Sequence, residues 1–254
     1  MTGGFPRCLD CGNAAISDRV QNASTKAGRG VGLSPGLSED LARTSVWLQA
    51  CGFAGGEAAL DAIKGLASKD SDPGFISLSN RAINLSSSRG NLSSAYIGVQ
   101  LADAVQLGWP SKGEPFFFRG LDSPTLSAAA LALSCRDLDI ETEVSASTSD
   151  LYFLSRPKKN EILVCAGQQI QPDDEIGPHS LTVSSIDPGG AFSGGEILLD
   201  RESEERYLRE VDGVGLSVSR SIIEKLQQFA SLLLVSETEQ SLKFGAGAGL
   251  VDSD

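Results

Sequence analysis

Residues 26–51, KAGRGVGLSPGLSEDLARTSVWLQAC, constrain the fold more than any other stretch, because both ends of a helix are spelled out in them. Gly28, Gly30 and Gly32 accept positive φ at little cost, which suits a sharp reversal after a helix C-terminus. Ser34 followed by Pro35 reads as an N-cap with proline at the first helical position. Glu39 and Asp40 sit in the opening turns, where the helix dipole favours negative charge. Leu37, Leu41, Trp47, Leu48 and Cys51 make an apolar stripe at helical spacing, and Gly52 stops the run. The chain therefore starts its fold with a helix, a glycine-spaced turn and a second helix.

On either side the pattern extends. Residues 1–15 read as an irregular leader. A first helix is expected over 17–27, with Ile16, Val20, Ala23 and Ala27 on one side. A third is expected over 56–67, with Leu60, Ile63 and Leu66 facing inward. Residues 16–67 thus form a helical unit. Residues 68–91 are rich in Ser, Asn, Asp and Gly and read as a long connection holding one short strand, 75–78.

Residues 92–254 read as a β-rich region closed by a helix and a Gly/Asp tail. Strands are expected at 116–118, 140–146, 151–154, 161–166 and 180–186, each short, apolar or alternating, and bounded by turn residues. Two alanine-rich segments, 92–107 and 126–135, fit a strand or a helix. The charged run 201–209 fits a solvated helix or a strand end, and Asp212-Gly213 reads as a turn. Ser217 or Ser219 then caps a last helix to about 232, with Ile222, Ile223, Leu226, Phe229, Ala230 and Leu233 on its buried face. The fold class that follows is α+β: an N-terminal three-helix unit packed on a mainly antiparallel β region with one late helix.

Composition limits the function. The 254 residues carry a net charge of −12. Phosphate backbones and anionic membrane surfaces repel such a chain, so neither nucleic acid nor membrane is an expected partner. A protein partner or a second copy of the chain stays open. No apolar run is long enough to span a bilayer. The start, MTGGFPRCLDCGN, lacks the basic region and apolar core of a secretory signal, which points to the cytoplasm. Five cysteines at irregular spacing, Cys8, Cys11, Cys51, Cys135 and Cys165, are expected to be reduced and mostly buried.

Candidate chemistry is sparse. Cys8 and Cys11 have the spacing of half a zinc site, yet the second half is missing, and an ordinary leader explains them as well. His179 is the single histidine. Any general-base or nucleophile mechanism that needs an imidazole must use it, with Asp173, Asp174 and Glu175 close in sequence; the alternative is a surface loop residue opening a strand. Gly28, Gly30 and Gly32 superficially resemble a phosphate loop, but a helix precedes them where a dinucleotide fingerprint needs a strand. Phosphate binding at the following helix N-terminus stays open on dipole grounds. The tail GAGAGLVDSD removes side chains at Gly245, Gly247 and Gly249 and ends in Asp252, Asp254 and the terminal carboxylate. It reads as a docking tail, a set of oxygen ligands for a hard cation, or a frayed end. No cofactor is indicated.

The motifs at Ala27 to Leu33, Gly36 to Asp40, Trp47 and Gly245 to Asp254 resemble the bacterial family known as domain of unknown function number 3726. That resemblance implies a single full-length unit whose tail belongs to the fold, and it brings no activity and no catalytic residues. With no complete catalytic constellation in the sequence, the first expectation is a non-catalytic binding or accessory subunit whose contacts involve Gly28, Gly30, Gly32, Gly245, Gly247, Gly249, Asp252 and Asp254. The alternative is a small-molecule metabolic enzyme with a site between the helical unit and the β region, using His179, Arg29, Asp252 and Asp254.

Overall fold

The computed structural model describes residues 17–79, 82–86, 91–109, 115–138, 143–148, 150–166, 179–186 and 195–233. The leader with Cys8 and Cys11, the acidic run 173–175, and the tail with Gly245, Gly247, Gly249, Asp252 and Asp254 lie outside them.

Helices α1 (Ser17–Gly30), α2 (Pro35–Ala50) and α3 (Gly55–Ser68) come first, as the capping signals predict. The Ser34 hydroxyl accepts the Leu37 N–H at 3.4 Å, and Pro35 occupies the first turn of α2. This helix is buried on nearly every side: Leu41, Ala42, Thr44, Ser45, Trp47 and Leu48 are all inside. It is the axis around which α1, α3 and three later helices, α4 (Ser94–Gln106), α5 (Pro124–Asp137) and α6 (Arg201–Val214), pack. Of the three glycines in the turn, only Gly32 takes a positive φ, at 96°. Gly28 and Gly30 continue α1. Gly30 is there for space, since a Cβ on it would lie 2.1 Å from the Phe229 carbonyl oxygen at the end of α7 (Arg220–Ala230).

The connection after α3 holds more than the single expected strand. β1 (Ser71–Asp72) pairs in parallel with β4 (Asn91–Leu92), and β2 (Phe75–Ser79) forms an antiparallel hairpin with β3 (Ala82–Ser86). Both undecided segments are helices, α4 (Ser94–Gln106) and α5 (Pro124–Asp137). Alanine-rich runs with few β-branched residues favour helix, and Ser123-Pro124 supplies a start signal for α5.

A six-stranded antiparallel sheet completes the core in the order β10–β8–β7–β6–β9–β5. Its strands are β5 (Phe116–Arg119), β6 (Glu143–Ser147), β7 (Leu151–Arg156), β8 (Glu161–Ala166), β9 (Ser180–Ile186) and β10 (Ile197–Leu199). One face presents Phe118, Val144, Ala146, Phe153, Ile162, Val164, Leu181 and Val183 to the main core. α5 lies on that face, where the Ser155 hydroxyl donates to the Ala132 carbonyl at 3.1 Å. The neighbouring register positions carry an ion triad, with Arg156 3.3 Å from both Glu143 and Glu161. The α+β class and the mainly antiparallel sheet are as expected from the sequence.

α6 (Arg201–Val214) runs through Asp212-Gly213, so that pair is helical and not a turn. Its start is a reciprocal cap. The Asp200 carboxylate accepts the Ser203 N–H at 2.8 Å, and the Ser203 hydroxyl accepts the Asp200 N–H at 2.8 Å. The Ser203 contacts hold the Asp200 carboxyl below its ordinary range. α7 (Arg220–Ala230) buries Ile222 and Leu226 and partly buries Ile223 and Phe229, while Leu233 beyond its end is exposed. Among the described residues, Cys51, Cys135 and Cys165 are free and buried, and burial pushes the Cys135 thiol up to about 12. No described helix is long and apolar enough to cross a membrane.

Candidate functional site

Three short segments lie side by side in parallel: β1, β4 and the residues around Leu121. Backbone hydrogen bonds hold the seam together. Leu92 N–H donates to Gly120 O at 2.6 Å, Asp122 N–H to Leu92 O at 3.1 Å, and Ser93 N–H to Asp72 O at 2.8 Å. The carboxyl ends of all three segments therefore meet at one edge, bearing Asp72, Ser93 and Asp122. α4 and α5 both begin at this edge, with Ser93 and Ser123 as their N-cap residues. Carboxyl edges of parallel strands followed by helix N-termini are where α/β proteins place ligands, because N–H groups and positive helix ends converge there.

Asp122, on the outer segment beside β4, reaches the start of α4. Its Oδ1 accepts the Ser94 N–H at 2.8 Å, and the Ser123 N–H in turn donates to the Ser94 hydroxyl at 3.0 Å. Burial lifts the Asp122 carboxyl above its usual range, opposed by the Ser94, Ser71 and Ser123 groups around it. The Ser71 hydroxyl is close enough to favour the ionised form without making a hydrogen bond of normal geometry. Ser71 Oγ, Ser93 Oγ and Asp122 Oδ2 are buried and have no hydrogen-bond partner among the described residues. Gly65 of α3 makes room for them, since a Cβ there would lie 2.5 Å from Ser71 Oγ and 3.1 Å from Asp122 Oδ2.

His179, the residue before β9, is fastened to the same seam. Leu121 N–H donates to the His179 carbonyl at 3.0 Å, and His179 Nδ1 lies 3.1 Å from the Leu121 carbonyl oxygen. A carbonyl oxygen only accepts, so Nδ1 carries the hydrogen. The neutral ring then bears its lone pair on Nε2, in an exposed side chain. The arrangement is a proton acceptor with a set tautomer, bonded to Leu121, the chain neighbour of the buried Asp122.

Of the candidates named from sequence, His179 is the one that the described structure brings to this seam. Arg29 is exposed in the last turn of α1, and Gly28 is packed 3.1 Å from Leu33 and Ser38 as measured from a Cβ built on it. Sequence reading missed Asp122, Ser94 and Ser123. Their available signal was Asp-Ser-Pro before one alanine-rich run and Ser-Ser before the other, both N-cap chemistry. A second buried polar group, Glu204, lies elsewhere and clamps helices together: Trp47 Nε1–H donates to its Oε1 at 2.6 Å and Arg136 Nη1 at 2.7 Å.

Residues 19–86 match the model of the family described as protein of unknown function (DUF3726). That span contains the motifs at Ala27 to Leu33, Gly36 to Asp40 and Trp47, while the tail motif Gly245 to Asp254 lies outside it. The curated proteins contain no significant match to the sequence. Solved structures are more informative. The fold is similar to that of a dehydrogenase from Sinorhizobium meliloti, with a TM-score of 0.57 at 9% identity over 86% of this chain and 99% of that one. It is also similar to malate dehydrogenase from Pyrococcus horikoshii OT3, with a TM-score of 0.58 at 10% identity over 86% of this chain and 95% of that one. At such identity the likeness concerns the fold. A fold shared with dehydrogenases counts against the expectation of a non-catalytic binding or accessory subunit, which is not kept. The absence of a familiar motif misled the sequence reading, because the parallel seam leaves almost no linear signature.

Proposed function

We propose that this chain is a small-molecule enzyme that moves a proton at the hydroxyl or carbonyl of a small 2-hydroxy or 2-oxo acid, with His179 as the proton-transfer group. The observation that carries the proposal is the reciprocal pair of hydrogen bonds between His179 and Leu121, which leaves Nε2 exposed beside the seam. The fold shared with a malate dehydrogenase supports the substrate class by analogy. Nε2 accepts the substrate's hydroxyl proton, and in the reverse direction the imidazolium returns it to the carbonyl oxygen; a hydride carrier, when bound, would take up or supply the hydride. Cytoplasmic location, and a second copy of the chain or another protein as partner, belong to the same reading.

A dehydrogenase needs a hydride carrier. Two N–H groups at the seam are already used, that of Ser94 by the Asp122 carboxylate and that of Ser123 by the Ser94 hydroxyl, so a dinucleotide would have to be held by other groups. The test offers NADH and NADPH separately to the full-length protein with a panel of 2-oxo acids. Turnover is expected, and His179→Gln is expected to lower kcat by about 10²–10⁴-fold with KM little changed. No turnover across the panel, or full activity in His179→Gln, overturns the proposal.

A further inference from the structure

We infer that Asp122 is a positioning residue for His179, an inference that rests on the proton-transfer reading above. The peptide group between Leu121 and Asp122 is held on both sides. Its carbonyl accepts from His179 Nδ1 at 3.1 Å, and its N–H donates to Leu92 O at 3.1 Å. Two bonds on one planar amide polarise each other and fix the plane about its long axis.

What stops the strand from rolling is the side chain that follows. The Asp122 carboxylate is pinned to the start of α4 by the Ser94 N–H at 2.8 Å, and α4 is a thirteen-residue helix buried against α5 and α2. The helix start thus sets the carboxylate, the carboxylate sets the peptide plane, and the plane sets which imidazole nitrogen carries the hydrogen. Asp122 need not touch a substrate to matter. A carboxylate is the natural choice for this position, because a positive helix end strengthens its hydrogen bond.

The chain has one histidine, so the imidazole nitrogens of a uniformly labelled sample give one unambiguous set of signals. In the wild-type protein above the imidazole titration, the Nδ1–H tautomer is expected to dominate. Asp122→Ala is expected to shift the tautomer ratio toward Nε2–H by roughly tenfold, the worth of one lost orienting hydrogen bond. Asp122→Asn keeps an oxygen acceptor for the Ser94 N–H and is expected to preserve the wild-type ratio. Should Asp122→Ala not fold, Ser94→Pro removes the same N–H at a helix position that tolerates proline, and the same shift is expected.

An unchanged ratio in a folded Asp122→Ala or Ser94→Pro protein overturns the inference. So does a wild-type ring that is mainly Nε2–H. The readout needs no turnover. A silent enzyme with an Asp122-dependent tautomer would sink the function and keep this inference, and an active enzyme with an Asp122-independent tautomer would do the reverse.

Discussion

Glu204→Ala is expected to destabilise the protein by about 3 kcal/mol, because removing one member of a buried ion pair strands the other. The Glu204 residue is 4% exposed, and its single Oε1 accepts from both Trp47 on α2 and Arg136 on α5. The substitution leaves a guanidinium and an indole N–H without their acceptor. The Arg136 side chain keeps 18% exposure, so water softens the loss, which is why the expected value sits at the low end for such pairs. Nothing else buried ties α6 to the body as strongly, since Glu204 is its one buried residue. For a chain of this size the midpoint should fall by about 6–12 °C. The double variant Glu204→Leu with Arg136→Met should recover most of the loss, because it leaves no stranded charge. A Glu204→Ala protein within about 0.5 kcal/mol of wild type contradicts the clamp.

Gly55→Ala is the second large effect, again about 3 kcal/mol, and its cause is overpacking. A Cβ at Gly55 would lie 2.1 Å from the Ser45 carbonyl oxygen, 2.7 Å from the Gln49 nitrogen and 2.9 Å from the Leu48 Cβ. Two of those atoms are backbone of the axial helix and cannot swing away. α3 would have to lift off α2, breaking the Ser45 hydroxyl bond to the Gly55 carbonyl at 2.9 Å. Gly36→Ala is the control: a Cβ there meets nothing within 4 Å, and alanine should stabilise α2 by about 0.5–1 kcal/mol. Denaturant unfolding of the two variants separates space from propensity. Equal effects of the two substitutions would show that the α2–α3 contact is looser than described.

How far the sequence revealed these elements depended on the contrast between their faces. α2 was legible because Ser34, Pro35 and Gly52 mark its ends, even though its sides are almost uniformly buried. α5 was not, because ten of its fourteen residues are buried and no polar face remains to show the helical period. α6 was left undecided for another reason: its first six residues are almost all charged, and its apolar positions, Tyr207, Leu208, Val211 and Val214, come only in the second half. The β6–β9 strands were legible because short alternating or β-branched runs lie between turn residues.

The candidate site was half legible. A chain with one histidine makes that residue an obvious candidate, and the structure places it at the seam. Its partners stayed hidden. β1 and β4 are two residues each, too short for any periodicity, and their pairing is parallel across the whole 71–92 stretch. Asp122 looks like an ordinary loop aspartate until the Ser94 N–H is found at its Oδ1. Non-local pairing of short segments is set by tertiary packing and leaves no local trace.

The most direct test of the central claim is a titration of the labelled His179 imidazole with oxamate, an unreactive analogue of a 2-oxo acid. A ligand seated at the seam should shift the imidazole signals saturably, and Asp122→Asn should leave that response in place. Imidazole signals that stay still while the same sample turns over 2-oxo acids would put the chemistry elsewhere in the fold.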